Sequence, residues 1–227
     1  MRRARPRRVT PARAEDDTRQ RLIDVATRHF AERGFKHVTV RAICRDARAN
    51  VAAINYHFGD KMGLYQEVIL AATAIVRETT ELAVKQGAGK APIEQLRIYI
   101  RIHGERVLAK AGSSVLHSLV QREMQEPTEA LGTLIDRLLR PRFEYLFRVV
   151  GAILDLPEND TRVALAATSV QSLIFTYRPS PITERVGKQL GLRFTPDEII
   201  EHITRFATGA LTAAGGRGLK APLAKPI

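Results

Sequence analysis

The stretch of residues 39–61 contains two short helical patterns separated by a tight break, and it constrains the fold more than any other part of the chain. The first pattern has the i, i+3, i+4 and i+7 spacing of an amphipathic helix, with apolar side chains at Val40, Ile43, Cys44 and Ala47. Thr39 stands immediately before it and is the predicted N-cap. The pattern leaves Arg41 and Arg45 on the solvent face.

The second pattern follows the break and begins at Asn50, another residue that favours the N-cap position. It places Ile54 and Phe58 on the inner face of a second short helix, and Asp60 is the predicted cap of the next one. Two short helices joined by a tight turn are the geometry with which a helix-turn-helix inserts its recognition helix into the DNA major groove.

The run from Thr18 to Tyr65 resembles the DNA-binding domain of TetR-family transcriptional repressors. The likeness is carried by RLIDVATRHFAERGF, VTVRAICRDA and ANVAAINYHFGDKMGLY. Within this run, NVAAINYHFGDK is similar to a subgroup of CecR-type regulators, and LVQREMQEPT at residues 119–128 is a shorter match to the C-terminal domain of that subgroup. The resemblance implies a three-helix DNA-binding domain followed by a larger helical domain.

Arg48 departs from the family pattern, which has Gly in the turn between the two helices. Glycine reaches a left-handed backbone conformation at little cost, whereas other residues rarely adopt a positive φ. Two alternatives follow: either the turn is remodelled, or Arg48 is strained and lies near the phosphates.

The resemblance also implies which residues contact DNA. Arg41 matches a position that reaches the groove, and its guanidinium can donate to N7 and O6 of guanine. Asn55 suits adenine or a phosphate, and Val51 and Ala53 suit a thymine methyl group. The full predicted set is Thr39, Arg41, Arg48, Asn50, Val51, Ala53, Asn55, Tyr56, His57 and Lys61. The alternatives are ordinary ones: a tyrosine packed in the core, a histidine bonded to backbone, or a solvated arginine.

The positive charge is concentrated at this end of the chain. Residues 1–66 carry 15 Lys and Arg against 7 Asp and Glu, so they supply +8 of the net charge of +12. Much of it lies in the opening RRARPRR, which has too little apolar content to fold. Either this segment is a solvated tail, or it is an arm that follows a groove or the phosphates.

The remaining composition bounds the class of protein. The sequence has no apolar run of roughly 20 residues, and charges replace the apolar region of a signal peptide, so we expect a cytoplasmic protein. The single cysteine, Cys44, excludes an internal disulfide and a cysteine-cluster metal site. Because the sequence contains no phosphate loop, HExxH pair, Gly-rich dinucleotide turn or nucleophile elbow, we expect no enzyme, no metal and no cofactor.

Helical spacing without strand alternation predicts an all-α fold. The predicted segments are a disordered basic arm at 1–17, a DNA-binding domain at 18–66, an effector-binding and dimerisation domain at 67–214, and a flexible tail at 215–227. One long helix from Asp60 to about Gly87 is predicted to join the two domains. In the second domain we expect helices near 92–110, 113–125, 128–154, 159–178 and 196–214, with a kink or split at Pro141.

TetR-like proteins pair their last two helices across a two-fold axis, so the resemblance implies a homodimer through the helices near 159–178 and 196–214, which are rich in small residues. A monomer with the same helices in its core is the alternative. Candidate effector-pocket residues, polar anchors and aromatics on the predicted helices of the second domain, are His103, His117, Arg122, Glu123, Arg142, Phe147, Gln171, Phe175 and Arg178.

The function that these features favour is a homodimeric, one-component repressor of a double-stranded DNA operator. The expected operator is a palindrome, released when a small-molecule effector binds the C-terminal domain. A non-specific DNA-binding protein and a small helical enzyme are the alternatives. Activation instead of repression also stays open, because the direction of regulation depends on where the operator lies relative to the promoter.

Overall fold

The computed structural model describes residues 11–109 and 114–215, and all regular structure within these ranges is helical. This confirms the predicted all-α fold. The α-helices are α1 (Pro11–Arg33), α2 (Val40–Ala47), α3 (Val51–Phe58), α4 (Lys61–Gly87), α5 (Pro92–Leu108), α6 (Ser114–Gln125), α7 (Ala130–Leu134), α8 (Arg140–Leu154), α9 (Thr161–Thr176), α10 (Pro181–Leu190) and α11 (Pro196–Ala213).

The chain divides into two compact units. Unit 1 comprises Met1–Thr73 and Ser114–Ile135, and unit 2 comprises Ala74–Ser113 and Asp136–Ile227. The first half of α4 therefore belongs to unit 1 and the second half to unit 2. Helices α6 and α7 follow α5 in the sequence but belong to unit 1 with the helix-turn-helix.

Unit 1 is built on α1, which packs against α2, α3 and α6. Its core contains fully buried side chains from each of the first four helices, including Leu22, Phe30, Ile43, Ile54 and Leu64. The Phe30 ring meets Tyr65 edge to face, with 4.8 Å between ring centroids. The apolar spacing of α2 and α3 thus buries one face of each helix against α1.

The predicted helix caps are confirmed. The Thr39 hydroxyl accepts from the Ala42 amide at 3.2 Å, and the Asn50 side chain accepts from the Ala52 amide at 3.0 Å. The Asp60 carboxylate accepts from the Gly63 amide at 2.8 Å. Each cap satisfies an N-terminal amide that has no partner within its own helix.

The start of α1 corrects the sequence analysis. Helix α1 begins at Pro11, so residues 11–17 are helical and the predicted disordered arm of 1–17 is wrong for them. Proline is tolerated there because its missing N–H would have no partner in the first helical turn. Residues 1–10, which hold most of the predicted arm, and residues 216–227 of the predicted tail lie outside the described residues.

The turn between α2 and α3 settles the question that Arg48 raised. Arg48 has φ 52° and ψ 47°, so the family's left-handed turn is kept without its glycine. The Arg48 amide and the following amide of Ala49 donate to carbonyls at the end of α2. A residue with a Cβ pays a steric cost of about 1–2 kcal/mol in this conformation, so the two caps and the buried faces of α2 and α3 hold the turn.

Helix α6 is attached to the first half of α4 by a buried hydrogen bond. The Tyr65 hydroxyl donates to the Glu123 carboxylate at 2.8 Å, and both side chains are about 1% exposed. The other oxygen of Glu123 accepts from the Thr128 amide at 3.0 Å. Burial is the first cause that raises the pKa of the Tyr65 phenol, and the bond to Glu123 adds to it. Tyr65 is therefore a neutral donor in the folded protein.

Unit 2 has its own core, formed by the apolar faces of α5, α8, α9 and α11. Pro141 lies in the first turn of α8, and a π-helical turn, Ile135–Leu139, immediately precedes that helix. The predicted interruption near Pro141 is confirmed. The connection after α9 contains α10, which is capped by Ser180 and ends at a left-handed Gly191.

We expect Tyr65→Phe to lower the free energy of unfolding by about 1–3 kcal/mol, because it leaves the buried Glu123 carboxylate without its phenol donor. Chemical unfolding followed by circular dichroism measures the loss. Tyr56→Phe is the matched control, since Tyr56 is 74% exposed and should leave stability unchanged. Equal stability of Tyr65→Phe and the wild type would show that the bond contributes nothing net.

Candidate nucleic-acid interface and buried polar cluster

Helix α3 has one buried side and one accessible side. Ile54 faces the core with no exposed surface, whereas Val51 is 40% exposed and Tyr56 is 74% exposed. Asn55 is exposed, and Ala53 and His57 are half-buried. An eight-residue helix with small, apolar and amide side chains on its open side can approach base edges and thymine methyl groups.

The two arginines on the solvent face of α2 differ in their partners. The Arg45 guanidinium donates to the Asp46 carboxylate at 2.9 Å, and His29 Nε2 lies 2.8 Å from the other oxygen of that carboxylate. These hydrogen bonds, first from Arg45 and then from His29, lower the pKa of Asp46. Arg41 is exposed and has no hydrogen bond or ion pair with any described residue. It is thus the uncommitted cation on this helix.

The two capping side chains keep donors that their caps do not use. In Thr39 and Asn50 an oxygen accepts the capping bond, so the hydroxyl hydrogen and the amide NH₂ can still donate to another group. Phosphate oxygens, which commonly bind at helix N-termini, could accept these hydrogen bonds. Arg48 is exposed in the intervening turn.

Lys61, at the first position of α4, packs against an aromatic ring. Its Nζ lies 4.2 Å from the centroid of Phe35, and desolvation lowers the pKa of the amine.

Beside α3, a surface cleft of about 430 Å³ is lined by Glu15, Thr18, Ala52, Ala53, Tyr56 and His57. Unit 1 therefore brings all ten predicted DNA-contact residues onto α2, α3, their caps and the turn between them, and the start of α4.

Unit 2 holds a cluster of polar side chains inside its core, centred on Tyr99. The Tyr99 hydroxyl donates to Gln171 Oε1 at 2.5 Å, and the ring lies 4.1 Å from His103 and 5.9 Å from Tyr145 between centroids. Burial raises the pKa of Tyr99. Desolvation, followed by the charges of Arg142 and Arg106, lowers the pKa of His103 to about 3. His103 is therefore neutral at physiological pH.

Arg142 is the unusual member of this cluster. Its residue is 4% exposed, and its guanidinium carbon lies 5.7 Å from the Phe175 ring centroid. Its Nε has no hydrogen-bond partner, and no ion pair joins Arg142 to any carboxylate among the described residues. His103 Nε2 and Gln171 Nε2 are likewise buried without a partner. Burying an unpaired charge costs several kcal/mol, so the Arg142 guanidinium suits an anionic partner, to which the Gln171 amide can also donate.

The remaining predicted pocket residues have other surroundings. Arg122 and Glu123 belong to unit 1, where Arg122 donates to the Glu32 carbonyl at 2.6 Å and Glu123 binds Tyr65. They attach α6 to α1 and α4, so they do not belong with the cluster in unit 2. Phe147 is half-buried beside the core, and Arg178 is half-buried just after α9. The side chain of His117 lies outside the described residues.

Sequence analysis missed Tyr99, which connects the cluster. Tyr99 and His103 are four residues apart on α5, and Gln171 and Phe175 are four residues apart on α9, so each pair shares a helix face. The sequence signal that could have indicated this cluster was therefore the presence of two polar and aromatic pairs at i, i+4 spacing, each on a helix with a buried apolar face.

A second concave region of unit 2 has a mostly apolar lining. A cleft of about 860 Å³ lies between α10 and the ends of α5, α9 and α11, and its walls include Leu108, Tyr177, Ile182 and Phe194. Over the described ranges, no helix is long and apolar enough to cross a membrane. The same residues contain no group of three or more His, Cys, Asp and Glu that could hold a metal ion.

Two family models match the chain. Residues 22–68 match the model described as bacterial regulatory proteins of the tetR family, and residues 92–214 match the model described as the C-terminal domain of the HTH-type transcriptional dual regulator CecR. The second match alone covers more than half of the chain. The fold and its exposed recognition helix are therefore those of a DNA-binding transcriptional regulator. This chain belongs to the TetR family, in the group that has the CecR C-terminal domain.

Individual relatives agree with this placement. The HTH-type transcriptional dual regulator CecR of Shigella flexneri is 25% identical over 171 residues, which are 72% of this chain and 76% of that protein. A solved structure from Pseudomonas aeruginosa PAO1 has a TM-score of 0.66 at 21% identity and covers 92% of this chain and 96% of its own. AibR, solved in complex with isovaleryl coenzyme A and operator DNA, has a TM-score of 0.61 at 14% identity and covers 83% and 97%.

We expect acidification to destabilise the protein through His103. In the folded state its pKa is about 3, against 6.5 for a free histidine, so below pH 6.5 the unfolded chain binds a proton that the folded chain does not. The free energy of unfolding then falls by about 1.4 kcal/mol for each pH unit below 6.5, and this contribution is constant above it. Urea unfolding at pH 7.0 and 5.5 measures the slope.

The variant His103→Gln isolates this contribution, because glutamine does not titrate. Its unfolding free energy should fall less between pH 7.0 and 5.5 than that of the wild type, measured at equal protein concentration. His37→Gln is the matched control, since His37 is an exposed residue of unit 1 and lies outside the polar cluster of unit 2. The account of His103 fails if the wild type and His103→Gln lose the same free energy over this interval.

Proposed function

We propose that this protein is a homodimeric, one-component repressor that binds a palindromic operator through α3 and releases it when a small molecule occupies unit 2. The observation that carries the DNA-binding part is the helix-turn-helix itself: α2 and α3 are fixed by their caps and by buried Ile43 and Ile54, while Arg41 and the outer side of α3 remain open. Membership of the TetR family supports the same assignment.

The dimer is proposed from the exposed faces of the last long helices. On α9, exposed positions recur at helical spacing. Leu165 and Phe175 are the large apolar residues among them, and the others carry small hydroxyl side chains, namely Thr161, Thr168, Ser169, Ser172 and Thr176. On α11, Phe206 is 58% exposed, and Gly209, Ala210 and Ala213 continue its face. Small residues around an exposed Leu165 and Phe206 suit close helix packing against a second copy. A two-fold dimer presents two recognition helices to half-sites about 34–36 Å apart, one turn of DNA.

The effector part rests on the buried polar cluster of unit 2. Ligand sites in helical proteins are mostly apolar with a few converging polar groups, which is the composition around Tyr99, Gln171 and Arg142. The complex of AibR with isovaleryl coenzyme A and operator DNA supports small-molecule control in a protein of this fold.

Communication between ligand and DNA is proposed to use α4, which contributes residues to both units. The effector needs only a small preference between conformations. For tenfold weaker operator binding it must favour the non-binding conformation by about 1.4 kcal/mol. A helix with two alternative packings is a common way to transmit such a preference.

Non-specific DNA association is the second candidate, and the uneven charge favours it, because residues 1–66 supply +8 of the net charge of +12. Phosphate contacts bind every DNA sequence with similar affinity and weaken steeply with salt. A comparison of selected and scrambled DNA at the same salt concentration separates the two candidates.

Arg41→Ala is expected to weaken binding to the specific site by about 1–3 kcal/mol and to relax discrimination at one base pair, because a bidentate contact to guanine is lost. Binding titrations on duplexes with each single base-pair change measure this effect. Lys61, at the first position of α4, is proposed to contact a phosphate, so Lys61→Ala should weaken all sequences nearly alike.

Arg101→Ala is the control for charge alone. It removes the same charge from the exposed side of α5 in unit 2 and should leave affinity and discrimination unchanged. If Arg41→Ala weakened specific and scrambled DNA by the same factor, Arg41 would be a phosphate contact and its role as a base contact would be rejected.

Leu165→Glu is expected to shift the protein from dimer to monomer, because a carboxylate placed in a packed helix interface would lose its hydration. Sedimentation velocity measures the molecular mass. Leu82→Glu is the matched control, since Leu82 is 45% exposed on α4 and Leu165 is 56% exposed on α9. A dimer that persists in Leu165→Glu, with its affinity unchanged, would place the interface elsewhere.

A further inference from the structure

The buried guanidinium of Arg142 has no carboxylate partner among the described residues. All 24 Asp and Glu residues lie in the part of the chain that the structure describes, since residues 1–10, 110–113 and 216–227 contain none. None of these carboxylates forms an ion pair with Arg142. A buried cation is normally paired with an anion, because otherwise it loses its hydration without compensation. The missing side-chain carboxylate therefore cannot come from an undescribed residue.

The neighbouring amide of Gln171 is arranged as a donor. The Tyr99 hydroxyl occupies Gln171 Oε1, which fixes the side-chain amide and leaves its Nε2 hydrogens without an acceptor. Gln171 is 7% exposed and His103 is 3% exposed, and His103 Nε2 is also without a partner. A glutamine amide and a guanidinium with no acceptors between them are complementary to a group that has several lone pairs and no hydrogens.

We propose that Arg142, Gln171 and His103 form the binding site for the carboxylate of a small monocarboxylic acid, whose apolar body lies against Tyr99, Tyr145 and Phe175. This proposal names the chemical class of the effector and rests on the proposed function in placing that effector in unit 2. A planar guanidinium can grip a carboxylate with two parallel hydrogen bonds, and the amide of Gln171 adds a third donor.

The charge of the site selects a monoanion. Arg142 carries the one full positive charge among the three residues, because His103 is neutral at physiological pH and glutamine does not ionise. Arg106 is half-buried and interacts electrostatically with Glu78, so its charge is already balanced in part. A phosphate dianion would leave negative charge uncompensated in a buried site, whereas a carboxylate matches the site. The aromatic walls favour a hydrocarbon chain or ring on the acid.

The test is binding of straight-chain monocarboxylates from acetate to octanoate to the full-length protein, measured by calorimetry and by the shift in thermal unfolding. Each acid is compared with its primary amide, which has the same shape without the charge, and with inorganic phosphate. We expect at least one acid to bind saturably, its amide to bind at least tenfold more weakly, and phosphate to give no saturable shift.

Variants of the site locate the binding. Arg142→Met keeps the length of the side chain without its charge and should weaken binding of the acid at least tenfold. Arg101→Met removes an exposed arginine from α5 and should bind as the wild type does. If Arg142→Met does not fold, Gln171→Leu, which removes the amide donor, should weaken the acid severalfold.

The proposal is overturned if no acid in the series binds, if acid and amide bind equally, if phosphate binds as well as the acid, or if the folded Arg142 or Gln171 variant binds the acid normally. The outcomes for the proposed function are separate. An acid that binds at Arg142 without releasing DNA would refute its role as effector and leave this site in place. Specific DNA binding without any acid binding would refute this site and leave the DNA-binding function in place.

Discussion

Burial of one face of α2 and α3 against α1 is the interaction on which the DNA-binding surface depends. Helices of eight residues, such as α2 and α3, are marginally stable in isolation. The first turn fixes the backbone of several residues, and few hydrogen bonds then form to compensate for the lost conformational entropy. Ile43 and Ile54 are fully buried, and their contacts with the α1 core supply what the isolated helices lack. The caps at Thr39 and Asn50 then define where each helix begins. With the inner faces fixed in this way, the outer side of α3 stays accessible, and Arg41 has no hydrogen bond or ion pair with a described residue.

The buried polar site around Glu123 in unit 1 and the one around Arg142 in unit 2 differ in whether the buried group has hydrogen-bond partners. In unit 1, Glu123 is buried, yet its oxygens accept hydrogen bonds from Tyr65 and Thr128. That site is complete and holds α6 on the first half of α4. In unit 2, Arg142 is buried and its Nε has no acceptor among the described residues. A buried polar group with all its hydrogen-bond partners stabilises the fold, whereas a buried group without a partner can accept one from a bound molecule.

Short-range patterns made the helix-turn-helix of unit 1 largely predictable from the sequence, whereas the membership of α6 and α7 in unit 1 was not predicted. Apolar spacing, cap residues and the resemblance gave the helix-turn-helix, its three caps and its outward side chains, since each depends on neighbours within a few residues. The start of α1 was missed because Asp16, Asp17 and Thr18 are good capping residues, while Pro11 is an equally good first residue of a helix. The sequence left two conformations open for the turn at Arg48, remodelled or left-handed. Tertiary packing decides whether the strained left-handed conformation is kept, and the local pattern does not reveal that packing.

Contacts between distant residues were beyond these patterns. The pairing of Tyr99 with Gln171 joins residues 72 positions apart, and that of Tyr65 with Glu123 joins residues 58 apart. Nothing local to Glu123 distinguishes it from a pocket residue, so it was grouped with His103 and Arg142. Burial of Arg142 was likewise invisible, because an arginine on an amphipathic helix is solvated in most proteins.

Selection of bound sequences from a random duplex pool, followed by affinity measurement on the enriched sequence at 0.15 M salt, tests the central claim most directly. A pair of two-fold-related recognition helices should enrich a palindrome with half-sites about one helical turn apart. Its affinity should exceed that for scrambled DNA by about a thousandfold or more. Tight binding without any enriched sequence would contradict the account, because basic charge would then dominate and α3 would not distinguish bases.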